Sequence, residues 1–145
     1  MKLTTRSRYG TRMLLDIARN GAEGPVRISD IAQRQKVSVK YLEKLIRELR
    51  LAGFIRSRRG PKGGHMLNVP AADIHIGDVV RVLEGDDALV DCASDKIDCD
   101  RAADCATRAV WRAASRAVYQ ALNAYSVADL LAAGEPGCSP VGSTS

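Results

Sequence analysis

The chain has 145 residues, 46% of them hydrophobic and 27% charged, with a formal net charge of +5. That is enough apolar material for one domain with an appendage, and no uninterrupted apolar run reaches the ~18 residues that a membrane-spanning helix needs. The basic opening stretch is broken by Arg12, Asp16 and Arg19, a helix pattern and not an export leader, so the cytoplasm is the expected location. Residues 1–67 hold 16 Lys+Arg against 5 Asp+Glu, net +11, and residues 68–145 hold 6 against 12, net −6. A basic half joined to an acidic half implies that the first half meets a polyanion.

Over residues 8–20 the apolar side chains Tyr9, Met13, Leu14, Ile17 and Ala18 share one helix face, and Gly21 is placed to stop the helix. Ser29 reads as the N-cap of a short helix over DIAQRQK. Ser38 reads as the N-cap of a longer one over VKYLEKLIRELRLA, ended by Gly53. Two helices joined by a tight turn, the second longer and richer in cations, form a helix-turn-helix. On the second helix Leu42, Leu45, Ile46 and Leu49 face a core, which leaves Lys40, Tyr41, Glu43, Lys44 and Arg47 outside.

FIRSRRGPKGGHMLNVP follows and reads as strand, turn, strand. Phe54 and Ile55 begin the first strand, residues 65–69 form the second, and RGPKGG is the tip. A β-hairpin directly after the second helix is a wing. Its tip carries Arg58, Arg59 and Lys62 among glycines that let the backbone approach a phosphate wall. Double-stranded DNA is the expected partner, and the side chains divide by chemistry. Arg6, Arg8, Lys62 and the helix N-termini, including that at Ser38, suit phosphates. Lys40, Tyr41, Glu43 and Lys44 suit the major groove, where Glu43 accepts from a cytosine amino group and Lys44 donates to guanine. Arg59 suits the minor groove.

In the acidic half, IGDVVRVLE from Ile76 to Glu84 reads as a helix that packs Val79, Val80 and Leu83. Residues 84–105 carry eight acids and two bases and read as a loop. Residues 106–125 read as a long helix with two apolar stripes, one through Ala106, Val110, Ala113 and Ala117 and one through Trp111, Ala114, Val118 and Leu122. A helix apolar over so much of its circumference needs cover from outside its own small domain, so a homodimer built on it is expected. Ser126 caps a last short helix, VADLLAAG. The expected fold is therefore mainly α. A winged helix-turn-helix with a two-stranded wing spans 1–83, a cysteine-bearing sensor loop 84–105, a dimerisation helix and short terminal helix 106–134, and a disordered tail 135–145. No nucleophile–base pair, phosphate loop or metal–water motif is present, so neither an enzyme nor a small-molecule substrate is expected.

Three of the four cysteines fall in the acidic loop as Cys92-x6-Cys99-x5-Cys105, wider than the paired steps usual for zinc. Clustered thiols in the cytoplasm point to a metal or a redox role, and wide steps suit a larger inorganic core such as an iron–sulfur cluster. Arg101 and Arg108 are positioned to balance the acids.

The whole pattern resembles the winged-helix iron–sulfur regulators typified by IscR and NsrR. The resemblance runs over nearly all of residues 1–135, through MKLTTRSRYG, ISDIAQRQKVSVKYLEKLIRELRLAGFIRSRRGPKGGH, and three cysteines before a helix bearing Trp111. It implies a dimeric bacterial transcription regulator, most simply a repressor. Cys92, Cys99 and Cys105 would ligate a two-iron or four-iron cluster, and the cluster's state would alter DNA affinity. This chain departs from the family in its first cysteine spacing, x6 where the family has x5, so that the loop must bulge by one residue, and in its fourth ligand. The IscR-like histidine is replaced by Arg108 and the NsrR-like aspartate by Arg8, which leaves Asp104, another loop acid, Cys138, solvent or a small thiol as the fourth ligand. Two alternatives stay open: a cluster-free regulator with a cysteine thiol switch, and an electron carrier or cluster-delivery protein.

Overall fold

The structure, a computed structural model, describes residues 3–85, 89–90, 93, 100–101 and 103–133. In chain order it has α1 (Thr5–Asn20), α2 (Ile28–Gln35), α3 (Val39–Leu51), β1 (Ile55–Arg58), β2 (Gly64–Leu67), α4 (Ile76–Glu84), α5 (Ala106–Asn123) and α6 (Val127–Ala132). The strands pair antiparallel from Ile55 opposite Leu67 to Arg58 opposite Gly64. This is the expected winged helix-turn-helix with a long C-terminal helix.

Helix α1 buries Met13, Leu14 and Ile17 at helical spacing. It begins at Thr5, three residues before the expected Arg8. The side chain of Thr4 accepts from the Arg6 N–H, and the first turn packs through polar groups, so apolar periodicity does not mark it. Helix α2 also begins earlier than expected, at Ile28. Arg27 holds the N-cap position and its carbonyl accepts from Asp30 and Ile31, which places Ser29 inside the first turn. The cause is the preceding residue: Val26 is drawn into extended pairing with His65, and the helix starts as soon as that pairing ends.

The turn between α2 and α3 passes through Lys36 in the left-handed region (φ 54°), its N–H bonded to the Ala32 carbonyl. Ser38 then caps α3 as expected, accepting from the Tyr41 N–H at 3.2 Å. Leu42, Leu45, Ile46 and Leu49 are buried, as the spacing predicts. At the far end the N–H groups of Gly53 and Phe54 bond to the carbonyls of Arg50 and Leu49, a Schellman closure whose left-handed residue is Gly53 (φ 88°).

The wing is rooted on both sides. Asn68 donates from its backbone to Phe54 and from its side chain to the Gly53 carbonyl. On the other side, Val26 and His65 exchange two backbone hydrogen bonds of 2.8 Å. Gly64 makes that approach possible: its φ is 155°, and a side chain there would sit 2.5 Å from the Val26 carbonyl oxygen.

Helix α4 has the expected bounds, with Val79, Val80 and Leu83 buried; Val79 and Leu83 join the core shared with α1 and α3. The core is continuous from Met13 and Ile17 through Leu42, Leu45 and Leu49 to Leu83, and a fully buried side chain of this class contributes about 1.5–3 kcal/mol. Helix α5 lies on α4 and ends at Asn123, two residues before the expected Tyr125, because the Tyr125 carbonyl accepts from Ile76 and His75 pairs with Ser126. Ser126 and Asp129 form a capping box on α6. Only Ser115 and Tyr119 of α5 are buried. Ala114, Val118 and Leu122 are half-buried against the domain, while the stripe of Ala106, Val110, Ala113 and Ala117 is open.

Candidate nucleic-acid interface and cysteine segment

The Ser38 cap leaves the first turns of α3 pointing away from the core, with Lys40, Glu43 and Lys44 exposed. Next to them the wing tip displays Arg59 and Lys62, both exposed. A shallow groove between the two, lined by Ile28, Glu43, Ile46, Arg47, Arg50 and His65, joins helix and wing into one face. Arg8 is exposed on the same side of α1 as Arg12. Their guanidinium carbons lie 6.0 and 5.4 Å from the centre of the Tyr9 ring, which holds both cations beside α3. The Arg12 Nε also donates to Gln35 at 3.0 Å.

Two of the residues expected at the interface are turned elsewhere. The Arg6 guanidinium donates from Nε to the Leu83 carbonyl at 2.8 Å and pairs with Glu48, so it ties α1 to α3 and α4. Tyr41 is half-buried, meets Tyr9 edge-on with ring centres 6.2 Å apart, and its hydroxyl lies 2.9 Å from the Thr5 hydroxyl. Lys40, Glu43, Lys44, Arg8, Arg59 and Lys62 stay outward, and Ser38 acts through its cap.

Several positioning residues escape a reading by local pattern. Arg27 donates to the Pro61 carbonyl and holds the wing tip toward α2. Buried Asp16 accepts from the Arg34 guanidinium at 2.7, 3.0 and 3.2 Å and from Gln35 at 2.8 Å, which locks α2 on α1. In the wing, the Ser57 hydroxyl and His65 Nδ1 are 2.7 Å apart. Burial and the nearby Arg50 hold the His65 pKa below its ordinary value.

Of the cysteines, Cys92, Cys99 and Cys138 lie outside the described residues, as do the tail and most of the loop. Cys105 stands at the N-cap of α5 with its sulfur 3.1 Å from the Thr107 hydroxyl. Hydrogen bonds from the Thr107 side chain and the Arg108 N–H, with Arg101 nearby, hold its thiol below the ordinary cysteine pKa. Such surroundings fit a thiolate ligand. Among the described residues no three His, Cys, Asp or Glu side chains converge as a metal site. No described helix is long and apolar enough to cross a membrane.

A profile of the Rrf2 family, described as iron-dependent transcriptional regulator, matches residues 3–133. The protein rrf2 of Nitratidesulfovibrio vulgaris is 58% identical over 131 residues, which cover 90% of this chain and 87% of that protein. Among solved structures, T. potens IscR is 34% identical with a TM-score of 0.75, covering 98% of this chain and 94% of its own. CymR of B. subtilis, the global cysteine regulator, is 33% identical with a TM-score of 0.76, over 93% of this chain and 99% of its own. Regulators of this kind are not enzymes, in agreement with the lack of catalytic motifs. The chain belongs to the Rrf2 family of helix-turn-helix transcriptional regulators.

Proposed function

We propose that this regulator binds promoter DNA as a homodimer, as a repressor in the cytoplasm, and that an iron–sulfur cluster held by Cys92, Cys99 and Cys105 controls its affinity. The observation that carries the DNA half is the single outward face made by the Ser38-capped turn of α3 and the twice-rooted wing. On that face Arg8, Lys62 and the α3 N-terminus take phosphates, Lys40, Glu43 and Lys44 read base edges, and Arg59 enters the minor groove. Arg6 and Tyr41 set the angle at which α3 is presented.

The dimer reading rests on α5. Val110 is 58% exposed and Trp111 41%, and alanines at 106, 113 and 117 allow close approach of a second copy. A two-fold pair would present two α3 helices to half-sites about one helical turn apart. The cluster reading rests on the family description and on Cys105, whose hydrogen bonds stabilise the thiolate. A bound cluster would supply redox- or ligand-sensitive chemistry to the loop. This chain's residues would anchor it and hold its charge beside Arg101.

The Thr107 and Arg108 hydrogen bonds at Cys105, which lower its pKa, also favour a second reading, a thiol switch without a cluster. One experiment separates the two. Anaerobically purified protein is assayed for iron, sulfide and visible absorbance, and for binding to a duplex that it selects from random sequence. Cluster control predicts absorbance that vanishes in Cys92→Ser, with a change in DNA affinity. A thiol switch predicts colourless protein whose affinity follows the reductant. In both cases Arg59→Ala weakens DNA binding and leaves the cysteine segment's signal intact.

A further inference from the structure

The first turn of α1 touches two other helices at once, with different atoms. On one side Thr4 donates to Glu84 Oε1 from its N–H at 2.9 Å and from its hydroxyl at 2.8 Å, and the Ser7 hydroxyl donates to the same oxygen at 2.5 Å. On the other side Thr5 meets the Tyr41 hydroxyl and Arg6 pairs with Glu48, both partners lying on α3. Glu84 is the last residue of α4, and the chain runs from it directly into the segment that bears Cys92, Cys99 and Cys105.

We infer that this turn is a clasp that transmits the state of the cysteine segment to the recognition helix. The inference rests on the cluster-control reading above and names the route that control takes.

Three features make the clasp a two-position device. All three donors share one oxygen, so a small rotation of Glu84 releases them together. The Thr4 hydroxyl serves twice, donating to Glu84 while accepting from the Arg6 N–H, so losing Glu84 loosens the cap of α1 and the turn that carries Thr5 and Arg6. The third feature lies at Glu48. Its Oε2 is buried and accepts from no donor among the described residues, so Arg6 is the main support of that carboxylate. If Arg6 withdraws, the half-buried Glu48 carboxylate of α3 loses its ion-pair partner while its Oε2 stays out of water, and a shift of α3 that exposes that oxygen becomes favourable. Packed elements with two discrete arrangements are what carry coupling between distant sites.

The test compares wild type, Glu84→Ala and Glu84→Gln, each prepared anaerobically with iron and sulfide supplied or omitted. Three quantities are read: affinity for the self-selected duplex, cluster absorbance, and amide hydrogen exchange at residues 39–45 of the cluster-free protein. Wild type is expected to show an affinity ratio between loaded and cluster-free forms of about 5–150-fold, the usual span of allosteric coupling. Glu84→Ala is expected to keep its absorbance, to bring that ratio to within about twofold of one, and to speed exchange at residues 39–45. Glu84→Gln still offers Oε1 as an acceptor and is expected to retain most of the ratio.

A Glu84→Ala protein that keeps the full ratio overturns the inference, as does one whose exchange at residues 39–45 is unchanged. Loss of absorbance in Glu84→Ala also overturns it, since Glu84 would then act on the cluster itself. A wild-type ratio of one removes cluster control alone, and the exchange data still decide whether the clasp holds α3.

Discussion

Helix α3 and helix α5 solve the surface problem in opposite ways. Leu42, Leu45 and Leu49 are wholly covered, and what α3 leaves in the open is Lys40, Glu43, Lys44 and Arg47. Helix α5 buries only Ser115 and Tyr119, and leaves Val110 and Trp111 in the open beside a run of alanines. The tie to α4 is correspondingly local: Asn123 Oδ1 accepts the Asp78 N–H at 3.1 Å, and Arg81 lies over the Tyr119 ring at 4.8 Å. Exposure thus means different things on the two helices. A charged face is already at ease in water and gains from meeting phosphate, whereas an apolar face loses free energy until another apolar face covers it.

The contrast can be broken most directly by deleting core atoms. Leu45→Ala is expected to cost about 2–5 kcal/mol in denaturant unfolding, because Leu45 is fully buried in the continuous core. Arg34→Met leaves the buried Asp16 carboxylate, among the described residues, with hydrogen bonds from Gln35 and Asn20. It is expected to cost about 1–3 kcal/mol, discounted for the partial exposure of Arg34. On α5 the same kind of measurement should give the opposite answer. Val110→Ser is expected to change protomer stability by less than about 0.5 kcal/mol, while in analytical ultracentrifugation it shifts the protein toward the monomer. If Val110→Ser in dilute protein destabilised as much as Leu45→Ala, the distinction between the two helices would collapse.

The smallest effect concerns pH. The pKa of His65 is lower in the folded wing than in the unfolded chain, so between the two values the unfolded state binds more protons. The contribution of His65 to stability is therefore complete above the unfolded value of about 6.5 and is lost as pH falls below it. Stability measured from pH 7.5 to 5 should decline less in His65→Gln than in wild type, and an identical decline would remove His65 as the cause.

Much of this architecture is written locally. Ser38 before an apolar-periodic run, Gly53 after it and RGPKGG between two short strands are enough to read helix, closure and wing. The bounds of α4 follow from Val79, Val80 and Leu83 with Gly85 just beyond. What escapes is whatever depends on distant partners. The first turn of α1 is invisible to periodicity because its anchors, Glu48 and Glu84, lie more than forty and seventy residues away. Ser29 misleads because it meets every local rule for a cap, yet the pairing of Val26 with His65 decides where α2 starts. Arg6 and Tyr41 carry the right chemistry for DNA, and only the fold shows that their polar ends are engaged with neighbouring helices. The roles given to Cys92 and Cys99 concern residues outside those described, so among the three loop cysteines only Cys105 has surroundings to compare with its expected work.

The strand-like link from Val26 to His65, with Arg27 reaching Pro61, has one more consequence. It welds the prong to the segment that launches the two-helix reader, so neither can swivel on its own. In the proposed dimer, a shift of α3 then acts against a wing held fast to the start of α2, and the span between the two DNA-reading faces becomes the quantity on which selection of target sites turns.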